Sequence, residues 1–372
     1  GAIATGWLSS HELQLPFRAT MNGDLQQPDA DDPALAHDGA PTGGLTLVLG
    51  GGGAVGIAYH VGVLRALEEV GGLDVRSATT MIGTSAGAVV SAQLRLGQEY
   101  GAMLALAGGD TDAQGIDKIA PKAIMAPAWQ SRAELYRSVV GSTWSISRAL
   151  FRVPLPQPPK ALQRLFPSAL FNLDDEAWAH AGIPEEWPVD PLWLVTVDID
   201  SGRRVVLRRP RAPHETCTLR HGIAASTAVP GLYQPVHAGS HRLVDGGVHS
   251  PTSLDLAART GCSVAICVAP MAFDPARPPS LGRTITRSRF NSQLDKERAA
   301  AKRSGAEVLL IRPSGDELQH HSVNLLRRSG NDLVMHAAYQ ATAIALSSAH
   351  AHRVLELARD ATAQPLPRRQ TA

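Results

Sequence analysis

Four consecutive glycines, Gly50–Gly53, break an uncharged run of twenty residues, LTLVLGGGGAVGIAYHVGVL at 45–64, and limit what the chain can become. The run has the length of a bilayer span, which takes about 20 apolar residues. Adjacent glycines oppose that reading, because each weakens a helix interior by roughly 1 kcal/mol relative to alanine. The apolar residues split instead into two patterns. Leu45–Leu49 is a short unbroken stretch bounded by glycine, which predicts a buried strand. Ile57, Val61, Val63, Leu64 and Leu67 follow helical spacing as far as Gly71, which predicts a helix over 57–70. The glycines are therefore the turn between a strand and a helix.

The unit recurs. Ala78–Ile82 reads as a strand, Gly83–Gly87 as a tight turn and Ala88–Leu96 as a helix. Further strands are predicted at Leu192–Ile199, Arg203–Leu207, Arg242–Val244, Ser263–Ala269 and Glu307–Ile311, with a hairpin turn at Asp200–Gly202. Helices are predicted at Leu219–Ser226, Thr252–Arg259 and Asn331–Leu357. Alternating strands and helices mean an α/β fold, a mostly parallel sheet sandwiched by helices. Tyr100–Trp187 differs. It lacks convincing strands and carries Trp129, Trp144, Phe151, Phe166, Phe171 and Trp178 with a proline cluster at Pro154–Pro159. It is expected to be a helical cap insertion over the active edge of the sheet; an ordinary helical layer of the core is the alternative. Residues 1–43, rich in Pro, Asp, Ala and Gly, are expected to be disordered. The domain is expected over 44–358 and a flexible tail over 359–372. Met21 fits a natural start, and no secretory signal is read at the N-terminus.

Thirty-five basic side chains against 34 acidic ones leave a net charge of +1, which gives no sign of a nucleic-acid partner. Three cysteines, Cys217, Cys262 and Cys267, show no C-x-x-C spacing, so neither a disulfide framework nor a zinc site is expected, and a cytoplasmic setting follows. No H-E-x-x-H or similar metal-ligand pattern occurs, and no cofactor is called for on this reading.

Gly83-Thr84-Ser85-Ala86-Gly87 is a G-x-S-x-G sequence between strand and helix, the setting of a nucleophile elbow. The plain alternative is a βα turn whose serine caps the helix. The glycine run has two readings as well. Gly51, Gly53 and Gly56 fit the dinucleotide pattern G-x-G-x-x-G, with Glu68, Glu69 and Asp74 near the place of a ribose-binding acid. The same loop can also turn backbone amides toward the oxyanion that forms when a serine attacks an ester. A base is needed. His221, His237, His241 and His249 lie near turns, and Asp245 stands in HRLVDGGVHSP, where Gly246 and Gly247 let the chain turn at a strand end. An Asx turn capping the next helix is the plain reading of that aspartate. His60 reads as packing or helix surface. Two basic groups, Arg203–Arg211 and Arg283–Arg303, read as solvated faces, with contact to anionic lipid as the minority reading.

LGGGGAVG, GTSAG and VDGG, in this order and joined by GVLRALEEVG and ASTAVPGLYQPV, resemble the patatin-like phospholipase family over about 45–270, and more loosely through GAEVLLIRPS at 305–314. The resemblance implies a Ser–Asp dyad with no catalytic histidine. Ser85 is the implied nucleophile, Asp245 its base and the amides around Gly51, Gly52 and Gly53 the oxyanion hole, with Gly56, Gly83, Gly87, Gly246 and Gly247 supporting the turns. It also implies hydrolysis of lipid esters and peripheral contact with a membrane. One position departs: Val55 stands where the family usually has Arg or Lys, which leaves phospholipids and neutral esters both open as substrates.

Overall fold

The computed structural model describes residues 43–108, 125–127, 170–173, 175–210, 217–322 and 324–363. Nearly all of the expected N-terminal segment, most of the expected cap and the tail beyond 363 lie outside the described residues.

In chain order the described elements begin with β1 (Leu45–Leu49), α1 (Gly53–Glu69), β2 (Thr80–Thr84), α2 (Ala86–Arg95) and α3 (Tyr100–Leu106). Then come β3 (Met125–Pro127), β4 (Phe171–Leu173), α4 (Asp175–His180), β5 (Leu192–Asp198), β6 (Arg204–Leu207) and α5 (Leu219–Thr227). The last are β7 (Val236–Ala238), β8 (His241–Asp245), β9 (Val264–Val268), α6 (Leu281–Arg303), β10 (Glu307–Ile311), α7 (Gly315–His320), α8 (Asn331–Ala345) and α9 (Ala349–Ala363). Eight strands form one sheet in the order β10-β9-β1-β2-β5-β8-β7, with β6 also on β5. The ladders from β10 to β5 are parallel; β6, β7 and β8 are antiparallel to their neighbours.

β1, β2 and β9 are buried along their whole length, as central strands covered on both faces must be, so they read as unbroken apolar runs. Alternation along β1 sorts its side chains. Leu45, Leu47 and Leu49 join the core built with α1, α2 and α8. On the other face the Thr46 hydroxyl pairs with that of Thr260, 2.7 Å away. There a 3₁₀ helix, Leu254–Arg259, packs with α6, whose buried Glu297 carboxylate accepts the Thr252 hydroxyl at 2.7 Å and the Leu254 amide at 2.9 Å. Helices thus cover both faces of the sheet.

Several expectations change. The helix predicted from Ile57 begins at Gly53, so two of the motif glycines sit in its first turn. Asn331–Leu357 is two helices, because Ser348 accepts the Ala351 amide at 3.3 Å and starts a second one. That second helix runs to Ala363, so residues 359–363 are helical and not tail. Leu281–Arg303 is a 23-residue helix with little apolar signal, since two of its four buried residues, Asn291 and Glu297, are polar. The insertion does hold strands: β3 and β4 pair antiparallel, and three residues each is too short to show alternation. Thr252–Arg259 is 3₁₀ from Leu254. Among the described residues no helix is long and apolar enough to cross a membrane.

Candidate active site

Ser85 follows β2 directly. Its φ of 54° and ψ of −118° lie where side chains rarely go, the strain expected of an elbow that lifts one side chain off the sheet. Its side chain makes no capping bond to α2, which removes the helix-cap reading. Two glycines make the turn fit. A Cβ at Gly87 would run into the Leu49 carbonyl of β1, and one at Gly51 would sit 3.2 Å from the Ser85 Cβ. Gly56 faces the Ala86 methyl, and Gly83 lies beneath the first turn of α2.

The register on β5 explains why Ser85 meets Asp245. Val195 is partnered by Thr84 and Val206, and Thr196 by Val205 and Asp245. A strand has two edges, so β6 takes one while β2 and β8 share the other. β2 runs parallel to β5 and ends at Thr84; β8 runs antiparallel and ends at Asp245 one position further along. The two strands point at each other head-on, and their last residues bring serine and carboxylate together. The Ser85 side chain lies close enough to the Asp245 carboxylate to favour its ionised form. Asp245 also accepts the Gly247 amide at 2.7 Å, while Gly246 lies against the Val195 carbonyl.

Asp245 is 5% exposed. Burial pushes its carboxyl up to about 6, against the opposing pull of the Ser85 and Gly247 hydrogen bonds. Among the described residues no charged side chain contributes to that shift.

Two residues absent from the sequence reading hold the pair. The buried Ser226 hydroxyl donates to the Val195 carbonyl at 2.7 Å and accepts the Ser85 amide at 3.1 Å. The Ala228 carbonyl accepts the Asp245 amide at 3.0 Å. Both lie in ASTAVPGLYQPV, so the signal was present in the linking text without a role attached.

The glycine loop lies across from Ser85, and its amides differ in use. Gly50 donates to Val268 (3.0 Å), Gly51 to Pro251 (2.7 Å) and Val55 to Leu325 (3.2 Å). The Gly51 amide, expected to be an oxyanion donor, is thus already engaged by a carbonyl from the segment after Asp245. Gly52 caps α1 and Gly53 is its first residue, so their amides have no helical acceptor. Buried His60 donates through Nε2 to the Gly50 carbonyl at 2.7 Å and is held neutral, its pKa lowered to about 4 by burial. It braces the loop, a role its place in α1 did not reveal. Val55 is buried in the core.

The competing assignments lie elsewhere. His249 stands near Asp255 and lowers that carboxyl's pKa. Of the acids proposed for a ribose, Asp74 caps a 3₁₀ turn through the Arg76 amide, Glu69 pairs with Arg65 on α1, and the residue ending β2 is Thr84. Arg204 is no solvated hairpin cation: its side chain is 3% exposed and forks onto Asp255 at 2.9 and 2.6 Å. No group of three or more His, Cys, Asp or Glu placed to hold a metal occurs among the described residues.

A family model described as patatin-like phospholipase matches residues 47–258, more than half of the chain. Uncharacterized NTE family proteins of Mycobacterium bovis and Mycobacterium tuberculosis are 28% identical over 204 residues, which cover 55% of this chain and 26% of each relative. The chain therefore spans about a quarter of the length of those curated relatives. Among solved structures it is similar to VipD from Legionella pneumophila, at 16% identity and a TM-score of 0.37, over 84% of this chain and 66% of that one. It is similar also to the type III effector protein ExoU, at 15% identity and a TM-score of 0.34, over 87% and 54% of the two chains.

Proposed function

The chain belongs to the patatin-like phospholipase family, and from that premise we propose that it is a serine lipid acyl hydrolase working through a Ser85–Asp245 dyad. The observation that carries the proposal is the head-on meeting of β2 and β8 on β5, which sets a strained, partly exposed serine beside a buried carboxylate. In this reading the Asp245 carboxylate takes the hydroxyl proton as Ser85 Oγ attacks the ester carbonyl carbon. The amides of Gly52 and Gly53, and not that of Gly51, receive the oxyanion. Each such donor contributes about 3 kcal/mol to the transition state. Collapse breaks the ester C–O bond, and the leaving alcohol takes the proton back from Asp245. Water then attacks the acyl-enzyme with the same carboxylate as base and releases the fatty acid.

A carboxylate with a pKa of about 6 suits this task better than an ordinary aspartate. It is still mainly ionised at neutral pH, yet it holds a proton roughly a hundredfold more strongly. The aromatic-bearing insertion at 100–187 would receive the acyl chain. A buried Val55 offers no cation for a phosphate, so neutral and phospholipid esters stand equally as substrates. The direct test is a panel of phospholipids, lysophospholipids and triacylglycerols with mass-spectrometric detection of products. Fatty acid release by the wild type, lost in Ser85→Ala and in Asp245→Asn, is the expected result. Release that survives Asp245→Asn but is lost in His249→Ala would replace the dyad with a histidine triad.

A further inference from the structure

α6 presents an outward stripe with a composition unusual for a soluble surface. Leu281 and Ile285 are 77% and 65% exposed, one turn apart at its N-terminal end. Arg289, Lys296 and Arg303 continue the same line at spacings of seven, with Ser292 and Ala299 between them. Asp295 flanks the line beside Lys296 and is paired with Arg312 at 3.6 Å. The Arg289 guanidinium lies over the Phe290 ring at 4.7 Å, while Lys296 and Arg303 form no ion pair among the described residues.

The N-terminal part of α6 is tied to the segment that packs on the glycine loop. α6 follows β9, whose last residue accepts the Gly50 amide. Between them, Pro270 packs against Gly52. Arg287, in the second turn of α6, donates to the carbonyls of Pro270 at 2.8 Å and Ala272 at 3.2 Å. These bonds hold the start of α6 to that segment from the helix face opposite Leu281 and Ile285. A cavity of about 520 Å³ opens between α6 and α7, with Arg277, Arg283 and Asp316 in its wall. The Leu325 carbonyl accepts the Val55 amide, and its neighbour Leu326 is 42% exposed.

Aliphatic side chains at the tip and cations along the shaft, with the flanking acid Asp295 already paired to Arg312, match the two layers of an anionic bilayer: acyl chains below, charged headgroups above. We infer that this face of α6 is the surface by which the protein docks on anionic membranes, with Leu281 and Ile285 entering the acyl region and Arg289, Lys296 and Arg303 lying at the headgroups. The inference rests on the proposed lipid hydrolase activity for its purpose but not for its test, because docking needs no turnover.

The test is co-sedimentation with phosphatidylcholine vesicles carrying or lacking 30% phosphatidylglycerol, where ~30% is chosen to approximate an anionic leaflet. Wild type and Ser85→Ala should both bind the anionic vesicles and leave the neutral ones largely in the supernatant. Replacing Arg289, Lys296 and Arg303 together by Gln should weaken binding about a hundredfold, from roughly tenfold or less per cation. Leu281→Ser with Ile285→Ser should weaken binding to the anionic vesicles at least tenfold. Because these side chains are exposed, both variants should melt with the wild type and hydrolyse a short-chain soluble ester at the wild-type rate, while losing activity on vesicle lipid. Vesicle binding that is absent in the wild type, or unchanged in both variants, overturns the inference. So does sedimentation velocity showing a wild-type dimer that these substitutions dissolve, since the stripe would then be covered by a second copy. Normal vesicle binding by a protein that cleaves no ester would instead leave docking intact and remove the hydrolase reading.

Discussion

Asp245 is where stability and the proposed chemistry conflict. Its folded pKa of about 6 lies above its ordinary value of 3.8, so its contribution favours the fold below about pH 4 and is lost as pH rises through 6. Holding it ionised at pH 8 costs on the order of 3 kcal/mol. Asp245→Asn should therefore abolish ester hydrolysis, by about a thousandfold or more, yet melt no lower than the wild type at pH 8, with any advantage vanishing near pH 4.5. Thermal melts at the two pH values check this. A lower melting temperature at pH 8 would mean that the ionised carboxylate holds the turn together. Ser226 behaves differently. Its hydroxyl serves the Val195 carbonyl and the Ser85 amide at once, and Ser226→Ala leaves both without that partner. The expected loss is about 1–3 kcal/mol in urea unfolding, together with a fall in kcat larger than any change in KM as the elbow loosens. An unchanged kcat would show that strain at Ser85 is maintained without Ser226.

At the scale of elements, the site is a product of strand ends. β2 and β8 abut along one edge of β5, and the segment after Asp245 returns to hold the glycine loop through the Pro251 carbonyl. That return is anchored from below by Arg204 of β6 on Asp255. Arg204→Met leaves Asp255 as a nearly buried, uncompensated charge and should cost about 3–5 kcal/mol, most of it recovered when Asp255 is also changed to Leu. Chemical denaturation of the single and double variants decides this; a single variant as stable as wild type would show that the ion pair anchors nothing. The sequence made the central strands legible because burial on both faces writes an unbroken apolar run, as in LTLVL. It made the elbow legible because strain there demands glycine on both sides. It hid α6, whose buried face is half polar, and it hid β3, β4 and β7, whose three residues each carry no period. It could not show that the Gly51 amide is spent on Pro251, since that bond joins positions 200 residues apart.

At the scale of the molecule, the glycine loop is the meeting point of most of the chain. β1 enters it and α1 leaves it, Pro270 packs on it, and Pro251 and Leu325 bond to its amides. A loop held from that many directions is preorganised rather than shaped by what binds it, and α6 is joined to it through Arg287 on Pro270. The central claim is that Ser85 is a nucleophile activated by Asp245. The measurement that addresses it most directly is covalent labelling of the folded chain with a fluorophosphonate, mapped to the peptide by mass spectrometry across pH 4–9, a range chosen to bracket the carboxylate by about two units or more on either side. The expected result is a single label on Ser85 whose rate rises with pH about a midpoint near 6 and falls to background in Asp245→Asn. Labelling at another residue, or labelling of Ser85 at an equal rate in Asp245→Asn, would contradict it.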